Sequence, residues 1–132
     1  MGLSFDHLPV NLRPTKTQQL IPHHPLFDIL AWPTVRDKLI AVFSQEPELR
    51  PPCAATPTAF FDLVYDIEDS AEGLRIWGED PCIDGNWEVG EAVFKKWWWV
   101  LDSDIIKKSN EWRMERGAPL LGAGKGFVVG EV

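Results

Sequence analysis

The sequence predicts a mainly α-helical fold of four to five short helices with at most a small β-hairpin. Two segments, 88–101 and 104–116, place apolar residues at helical spacing. The best strand candidate, LRIW at 74–77, is only four residues long. Prolines and glycines interrupt the other segments at short intervals, which keeps every predicted element short.

The chain length predicts one compact domain over residues 1–132. A chain of this size has room for a single hydrophobic core, which we expect to span about residues 12–120. Residues 1–11 are then a lead-in, and residues 118–132 are a Gly-rich tail. GAGKG at 122–126 does not fit a phosphate loop, because a glycine follows its lysine where such a loop has Ser or Thr.

The first half of the chain is expected to form three short helices. HHPLFDILAWP predicts a helix at 25–31, which ends before Pro33 because the residue preceding a proline disfavours helical geometry. Pro33 can occupy the first turn of the second helix. The apolar face of that helix consists of Val35, Leu39, Val42 and Phe43. TAFFDLVYDI at 58–67 follows as a third helix, although a strand of this length would also fit the pattern.

The strongest helical pattern lies at 88–101, where apolar residues recur every four positions. These residues are Val89, Val93, Trp97 and Leu101. Asn86 is the expected N-cap, and acidic residues in the first turns favour a helix N-terminus. The last helix is expected from about Asp104 to Arg116, with Ser103 as its N-cap and Gly117 in the left-handed position past its end.

Three consecutive tryptophans near the end of the 88–101 segment cannot all face one core, since a helix turns by about 100° per residue. Trp97 continues the apolar face and is expected in the core. Trp98 is expected on the flank of that face. Trp99 falls on the polar side by helical spacing, so we expect it either in a groove or under the N-terminal segment.

The charge distribution limits the classes of partner. The net charge is −7, and residues 62–91 contain ten acids and one base. Direct DNA binding is not expected, because affinity for nucleic acid comes largely from clustered Lys and Arg. No apolar run is long enough for a membrane span and no signal-peptide core is present. Cys53 and Cys82 fit reduced thiols, so a nuclear or cytoplasmic location is expected.

Two groups of polar residues are expected to have a structural role near the N-terminus. Asp28, Arg36 and Asp37 should fix the first pair of helices. His23 and His24, with Asp28, could ligate a metal, but neighbouring histidines in a loop point apart and no further ligand completes the set. We therefore expect no metal or other cofactor. No nucleophile motif is present, so catalytic residues cannot be assigned and an enzyme is less favoured than a binding domain.

The seven tryptophans are the most informative residues in the composition. Four of them lie beside turns, where a large ring can close the edge of a small core: Trp32, Trp77, Trp87 and Trp112. A buried indole N–H needs an acceptor, and acids lie close in sequence: Asp28, Glu79, Glu88 and Glu111. The alternative is an aromatic box, in which several rings and acids bind a cationic or planar ligand.

The last helix carries a second candidate site. Asn110 and Arg113 lie three residues apart, so both side chains can address one site. We expect Arg113 to form a bidentate pair with a carboxylate, namely Glu79, Asp80 or Glu88. Such a pair either locks the last helix onto the preceding segment or contributes to a ligand site.

Six segments of the chain form an ordered set: PHHPLFDILAWP, VRDKLI, GLRIWGEDP, NWEV, FKKWWW and SNEWRMERG. Together they resemble the domain of unknown function found C-terminal to the basic leucine zipper in fungal transcription factors, over residues 12–120. The resemblance implies a fungal origin and a regulatory context. The matching positions are Pro25, Asp28, Arg36, Asp37, Trp77, Gly78, Trp87, Trp97, Trp99, Asn110, Trp112, Arg113 and Gly117. Leu26 and Trp98 depart from the pattern, and no basic region or zipper precedes residue 12, so we expect an excised domain or a stand-alone relative.

These observations favour an effector or interaction domain that binds a partner protein or a small, cationic ligand in a Trp-lined acidic groove. The expected ligand-binding residues are Asp28, Trp32, Arg36, Trp77, Glu79, Trp87, Glu88, Trp99, Asn110 and Arg113. The alternative is a small stand-alone enzyme of fungal secondary metabolism, of the aminoacyl-transfer type that makes arginine-containing cyclodipeptides from aminoacyl-tRNA. The sequence predicts neither the identity of the partner nor the oligomeric state.

Overall fold

The computed structural model describes residues 7–122, which form a mainly α-helical fold with one small antiparallel hairpin, as the sequence predicts. Its helices are α1 (Lys16–Leu20), α2 (Pro33–Phe43), α3 (Ala59–Ile67), α4 (Glu91–Trp97) and α5 (Ser103–Glu115), and its strands are β1 (Leu74–Ile76) and β2 (Trp87–Val89). Short 3-10 turns join several of these elements. Of the GAGKG segment, only Gly122 lies within the described residues.

The first half of the chain follows the sequence prediction closely. The segment predicted as a helix at 25–31 is a 3-10 turn, Pro25–Ile29, and the Nδ1 atom of His24 accepts the N–H of Leu26 at its start. Pro33 occupies the first turn of α2. A backbone N–H at that position has no acceptor within the helix, so the N–H that proline lacks costs no helical hydrogen bond. Residues 59–67 are helical, which settles the choice between helix and strand.

The predicted helix over 88–101 is wrong at its start. Trp87–Val89 is strand β2, and Glu88 lies opposite Arg75 in the ladder. All three residues of β2 are buried, since β2 lies between β1 and α5 and packs closely on that helix. Asn86 is the last residue of a 3-10 turn and not a helix cap; α4 begins at Glu91 after Gly90. Packing on both sides of β2 outweighs the acidic residues that suggested a helix start.

A close approach of two backbone segments explains why a glycine precedes α4. The N–H of Gly90 donates to the carbonyl of Gly73 at 2.9 Å, and the N–H of Ala92 donates to the carbonyl of Glu72 at 3.0 Å. A Cβ atom at position 90 would lie 2.2 Å from the carbonyl oxygen of Glu72. Only glycine lets the chain pass at this distance.

We expect Gly90→Ala to lower the free energy of unfolding by about 1–3 kcal/mol, because the new methyl group meets backbone that cannot rotate away. Urea denaturation would measure the change. Gly85→Ala is the matched control, since its Cβ would meet nothing closer than Lys108 Cε at 3.8 Å. Equal stability of the two variants would contradict the close approach.

The core contains the predicted apolar faces of α2 and of the 89–101 segment. Val89, Val93, Trp97 and Leu101 are all buried, as expected. Trp97 has no exposed surface, and its indole N–H donates to Asp66 Oδ2 at 2.9 Å across to α3. The acceptor therefore comes from a neighbouring helix and not from an acid close to Trp97 in sequence.

The other two tryptophans of the triplet do not lie where helical spacing would place them. Trp98 is 42% exposed, whereas Trp99 is half-buried and packs on Trp97 with 6.0 Å between ring centroids. The reason is that α4 ends at Trp97 and the chain continues as a 3-10 turn over 98–100. Such a turn rotates by about 120° per residue, which returns Trp99 toward the core. Its indole N–H donates to the carbonyl of Lys96 at 2.8 Å.

The last helix starts and ends one residue earlier than predicted, at Ser103 and Glu115. Asp102 is its N-cap and Ser103 is its first residue. At the other end Gly117 has a φ of 75° and donates its N–H to the carbonyl of Met114. The N–H of Ala118 donates to the carbonyl of Arg113. This pair of bonds is a Schellman motif, which requires a left-handed residue such as glycine.

Within the described residues, Cys53 and Cys82 are free thiols. None of the helices there combines the length and the apolar character that crossing a bilayer requires. In the same part of the chain, no group of three or more His, Cys, Asp or Glu side chains is arranged to hold a metal ion.

Candidate functional site

A buried carboxylate on β2 is the centre of the charged residues, and we call it and its partners the Glu88 cluster. Glu88 is 1% exposed, and Arg116 holds it with a bidentate contact from Nε to Oε1 at 3.1 Å and from Nη2 to Oε2 at 2.7 Å. Arg113 Nη1 lies 3.2 Å from Glu88 Oε2 and 2.9 Å from Glu72 Oε1. The indole N–H of Trp77 donates to Glu88 Oε1 at 3.0 Å.

The predicted Arg113–Glu88 pair is therefore present, but the bidentate partner of Glu88 is Arg116. Burial alone would raise the pKa of Glu88. Hydrogen bonds from Arg116 and Trp77, with the charges of Arg116 and Arg113, outweigh burial and hold that pKa below its usual value. The cluster contains two acids and two arginines, so its charges balance. It locks α5 onto the hairpin, and its polar groups are occupied by one another.

Two stacked indoles lie beside this cluster. The rings of Trp77 and Trp112 are parallel to within 7°, with centroids 5.0 Å apart. Arg75 lies over the Trp77 ring at 5.9 Å, and Lys108 lies over the Trp112 ring at 5.6 Å. The N–H of Trp112 donates to the carbonyl of Gly85 at 2.8 Å. Cations of the protein itself therefore lie against both rings, which leaves less room for an external cation there.

The N-terminal segment is held by one buried guanidinium, which we call the Arg36 hub. Arg36 is 1% exposed and donates Nη1 to the carbonyl of Leu30 at 2.5 Å and Nη2 to the carbonyls of Asn11 and Arg13 at 2.8 and 3.2 Å. Its Nε donates to Gln18 Oε1 at 2.9 Å. Burial lowers the pKa of Arg36, and the nearby charges of Asp37 and Asp28 oppose that shift.

The carboxylates near the hub act as the sequence suggests, by fixing the N-terminal elements. Asp28 accepts from Gln18 Nε2 at 2.9 Å and lies 2.6 Å from His23 Nε2. Asp37 accepts from the hydroxyl of Thr15, the N-cap of α1. These contacts tie α1 and the 25–29 turn to α2, so Arg36 and its neighbouring acids serve the internal structure.

A small cavity contains the remaining predicted rings, and we call it the indole pocket. Its volume is about 210 Å³, and it is lined by Trp32, Asp84, Gly85, Trp87, Asp104, Ile105 and Lys108. Trp32 and Trp87 meet edge to face with centroids 5.3 Å apart. Most of its wall is apolar, and its charged lining residues are Asp84, Asp104 and Lys108. The ammonium group of Lys108 lies 3.3 Å from Glu111 Oε1.

The indole N–H groups of this pocket differ in their partners. Trp87 Nε1 donates to the carbonyl of Pro81 at 2.8 Å. Trp32 is only 7% exposed, yet its Nε1 has no acceptor among residues 7–122. That nitrogen is not among the fully enclosed unpaired atoms of the described chain, so it retains contact with solvent.

The structure divides the predicted groove into several places. Trp77, Glu88 and Arg113 lie in the Glu88 cluster, and Asp28 and Arg36 lie around the hub. Trp32 and Trp87 line the indole pocket, Trp99 packs on the core, and Glu79 is exposed. The described residues thus do not bring all ten together in one groove. The indole pocket is a cavity whose lining residues include both tryptophans and acids.

Asn110 and Arg113 do act together, as their spacing suggests, but on the backbone. Asn110 Oδ1 accepts the N–H of Leu121 at 2.8 Å, and Arg113 Nε donates to the carbonyl of Pro119 at 2.6 Å. Both side chains hold the segment after α5 against that helix. Leu121 is 4% exposed in consequence, so the apolar core extends into the segment assigned to the tail.

Sequence reasoning missed four of the residues that matter. Arg116 lies three residues after Arg113, and this helical spacing could have identified it as a second partner for the carboxylate. Glu72 had no such signal, because its position depends on the close approach at Gly90. Asp84 and Asp104 belong to polar segments that look like solvated surface in sequence, and only the fold brings them beside Trp32 and Trp87.

Comparison with known proteins gives one match. The family model described as "Domain of unknown function (DUF3425)" matches residues 3–108, which is most of the chain. No curated protein matches. No solved structure matches.

Proposed function

Since the chain belongs to the DUF3425 family of domains of unknown function, we propose that it is the interaction domain of a fungal regulator of the basic-leucine-zipper type. In this proposal it binds a basic segment of a partner protein at the indole pocket. The ordered motifs of the sequence support the regulatory context. We expect such a domain to act in the nucleus or the cytoplasm.

The observation that carries the binding proposal is the composition of the indole pocket. Asp84 and Asp104 supply negative charge, Trp32 and Trp87 supply aromatic surface, and both types of group attract a guanidinium or an ammonium ion. Among the described residues that line it, Lys108 is the one cation, and it already lies beside Glu111 and over the ring of Trp112. An arriving cation therefore meets a site that is not neutralised from within.

The size of the pocket favours a side chain over a free ligand. Sites for drug-sized ligands have volumes of about 300–1,000 Å³. The indole pocket has about 210 Å³, which suits one arginine or lysine side chain held by a peptide. The acidic segment 62–91 adds long-range attraction, since ten of its residues are acids and one is a base.

The test compares two peptides that differ only in charge. One has a central arginine, and the other has citrulline, its neutral isostere, at the same position. Intrinsic tryptophan fluorescence or calorimetry should show tighter binding of the arginine peptide. The double variant Asp84→Asn with Asp104→Asn should weaken binding of the arginine peptide at least about tenfold, because each hydrogen bond to a charged group contributes roughly 1.5–3 kcal/mol.

A matched control separates the pocket from the general charge of the protein. Glu46→Gln with Glu48→Gln removes the same charge from two exposed residues outside the pocket. This control should reduce the affinity only slightly and mainly at low salt. The proposal fails if the arginine and citrulline peptides bind equally, or if both double variants lower the affinity to the same extent.

A further inference from the structure

A second and larger cavity lies on the part of the chain between residues 22 and 60, away from the residues of the indole pocket, and we call it the phenylalanine cavity. Its volume is about 320 Å³, within the range of small-molecule sites. Phe27, Phe43 and Phe60 line it and pack on one another, with centroid separations of 5.7, 5.8 and 6.3 Å. These three rings give the cavity an apolar, aromatic wall.

An arginine without an anionic partner lines the same cavity. Arg50 donates Nε to Gln45, Nη1 to Ala54 and Nη2 to Phe43, each time to a backbone carbonyl. A guanidinium has five N–H groups, so two remain after these three bonds. Within residues 7–122 no carboxylate forms an ion pair with Arg50, although the protein as a whole carries a charge of −7.

The three backbone bonds also fix the orientation of the arginine. They hold the guanidinium in place over the ring of Phe43, with 5.2 Å between Cζ and the ring centroid. A charged group that is already ordered binds a ligand with less loss of conformational entropy. Arg50 is therefore a cation in a defined position, with donors to spare, at an aromatic wall.

Two histidines complete the polar side. His24 Nδ1 accepts the N–H of Leu26, so the neutral ring carries its proton on Nε2, which is a donor without an acceptor in the described chain. His23 has Nδ1 2.7 Å from the carbonyl of Ile21 and Nε2 2.6 Å from Asp28, so both nitrogens face acceptors. The bonds to Ile21 and then to Asp28 raise the pKa of His23 above its usual value. Asp28 thus matches the charge of His23, whereas no carboxylate among residues 7–122 forms an ion pair with Arg50.

We propose that the phenylalanine cavity binds a small organic carboxylate with an aromatic body. Arg50 and His24 Nε2 would hold the carboxylate, and the three phenylalanine rings would enclose the apolar part. This site has the opposite charge preference to the indole pocket, and it shares none of that pocket's lining residues. The two proposals can therefore fail independently.

The test uses 3-phenylpropionate and its uncharged amide as probes for the full chain. Calorimetry or two-dimensional NMR should show saturable binding of 3-phenylpropionate at millimolar concentration or below, and at least about tenfold weaker binding of the amide. Thr56→Phe should abolish binding, because Thr56 lines the cavity and is exposed, so a larger ring there fills the space without entering the core. Ser70→Phe, at an exposed position outside the cavity, is its control and should bind as the unchanged protein does.

A second pair of variants tests the charge. Arg50→Gln should weaken the carboxylate at least about tenfold and leave the amide unchanged, whereas Arg75→Gln, at an exposed arginine outside the cavity, should change neither. Thermal denaturation checks that Arg50→Gln remains folded. If it does not, His24→Asn provides the same comparison of the two probes. Asparagine also serves as a helix N-cap, but it lacks the Nε2 donor of histidine. Equal binding of the two probes, no saturable binding, or binding that survives Thr56→Phe would each overturn the proposal.

Discussion

Glu88→Ala is expected to lower the free energy of unfolding by about 3–5 kcal/mol, because it removes the buried carboxylate that two arginines share. Arg113 is 2% exposed and would retain only Glu72, whose side chain is one-third exposed. Arg116 loses both ends of its bidentate contact, and the Trp77 N–H loses its acceptor. A loss of this size is a large part of the stability of a small domain.

Urea denaturation at neutral pH measures this change, and two further variants interpret it. Glu79→Ala removes an exposed acid from the connection between β1 and β2 and should shift the stability by less than about 0.5 kcal/mol. Glu88→Gln keeps an acceptor for Trp77 but removes the charge, so its stability should lie between those of the other two. If Glu88→Ala and Glu79→Ala were equally stable, the cluster would contribute nothing to folding.

Acid titration gives an independent readout of the same cluster. The pKa of Glu88 is lowered in the folded state, so its contribution is fully present above the unfolded value of about 4.3 and is lost as the pH falls through the lower, folded value. The unchanged protein should therefore lose stability as the pH falls below about 4.3. Glu88→Gln should lose less over that window, since the titrating group is gone.

Arg36→Met is expected to lower the free energy of unfolding by about 3 kcal/mol and to release the N-terminal segment. The substitution keeps an apolar stem in the core but removes four hydrogen bonds, three of them to backbone carbonyls. Each buried acceptor left unpaired costs roughly 1–3 kcal/mol, and the partly exposed ones recover bonds to water. Amide hydrogen exchange should speed up most in residues 11–30, which the hub holds against α2.

Arg36→Lys and Arg75→Met are the comparison variants for this prediction. Lysine keeps the charge but has one small ammonium group in place of the planar fork, so it cannot reach all of the acceptors and should rescue only part of the loss. Arg75 is exposed and lies over Trp77, so Arg75→Met should have little effect. If Arg36→Lys were as stable as the unchanged protein, the fork geometry of the hub would be unimportant.

The predictions from sequence succeeded where local signals and burial agree. Pro33 with the apolar spacing that follows it identified α2, and Gly117 marked the end of α5, because a proline or a left-handed glycine has few alternative roles. Glu88 was one of the three carboxylates that the sequence offered as a partner for Arg113, and the structure contains that pair. The two helix ends depend on a few residues close together in the chain, whereas the ion pair joins residues 25 apart.

The failures have a different physical origin. The strand at Trp87–Val89 forms because β1 and α5 pack on either side of it. The three residues of the segment do not by themselves predict this packing. The positions of Trp98 and Trp99 depend on where α4 tightens into a 3-10 turn. The indole pocket joins residue 32 to residues 84–87 and 104–108, so its acids could not be distinguished in sequence from ordinary surface acids.

The Arg36 hub tolerates substitutions differently at the arginine and at the residues that supply its acceptors. Three of its four acceptors are carbonyl oxygens of the main chain, and every amino acid, proline included, supplies the same oxygen. The guanidinium thus recognises the course of the backbone and not the identity of the residues that form it. A position such as Arg13 could therefore be substituted without altering this contact, whereas the residue identity matters at Arg36 and at Gln18, whose side chain supplies the fourth acceptor.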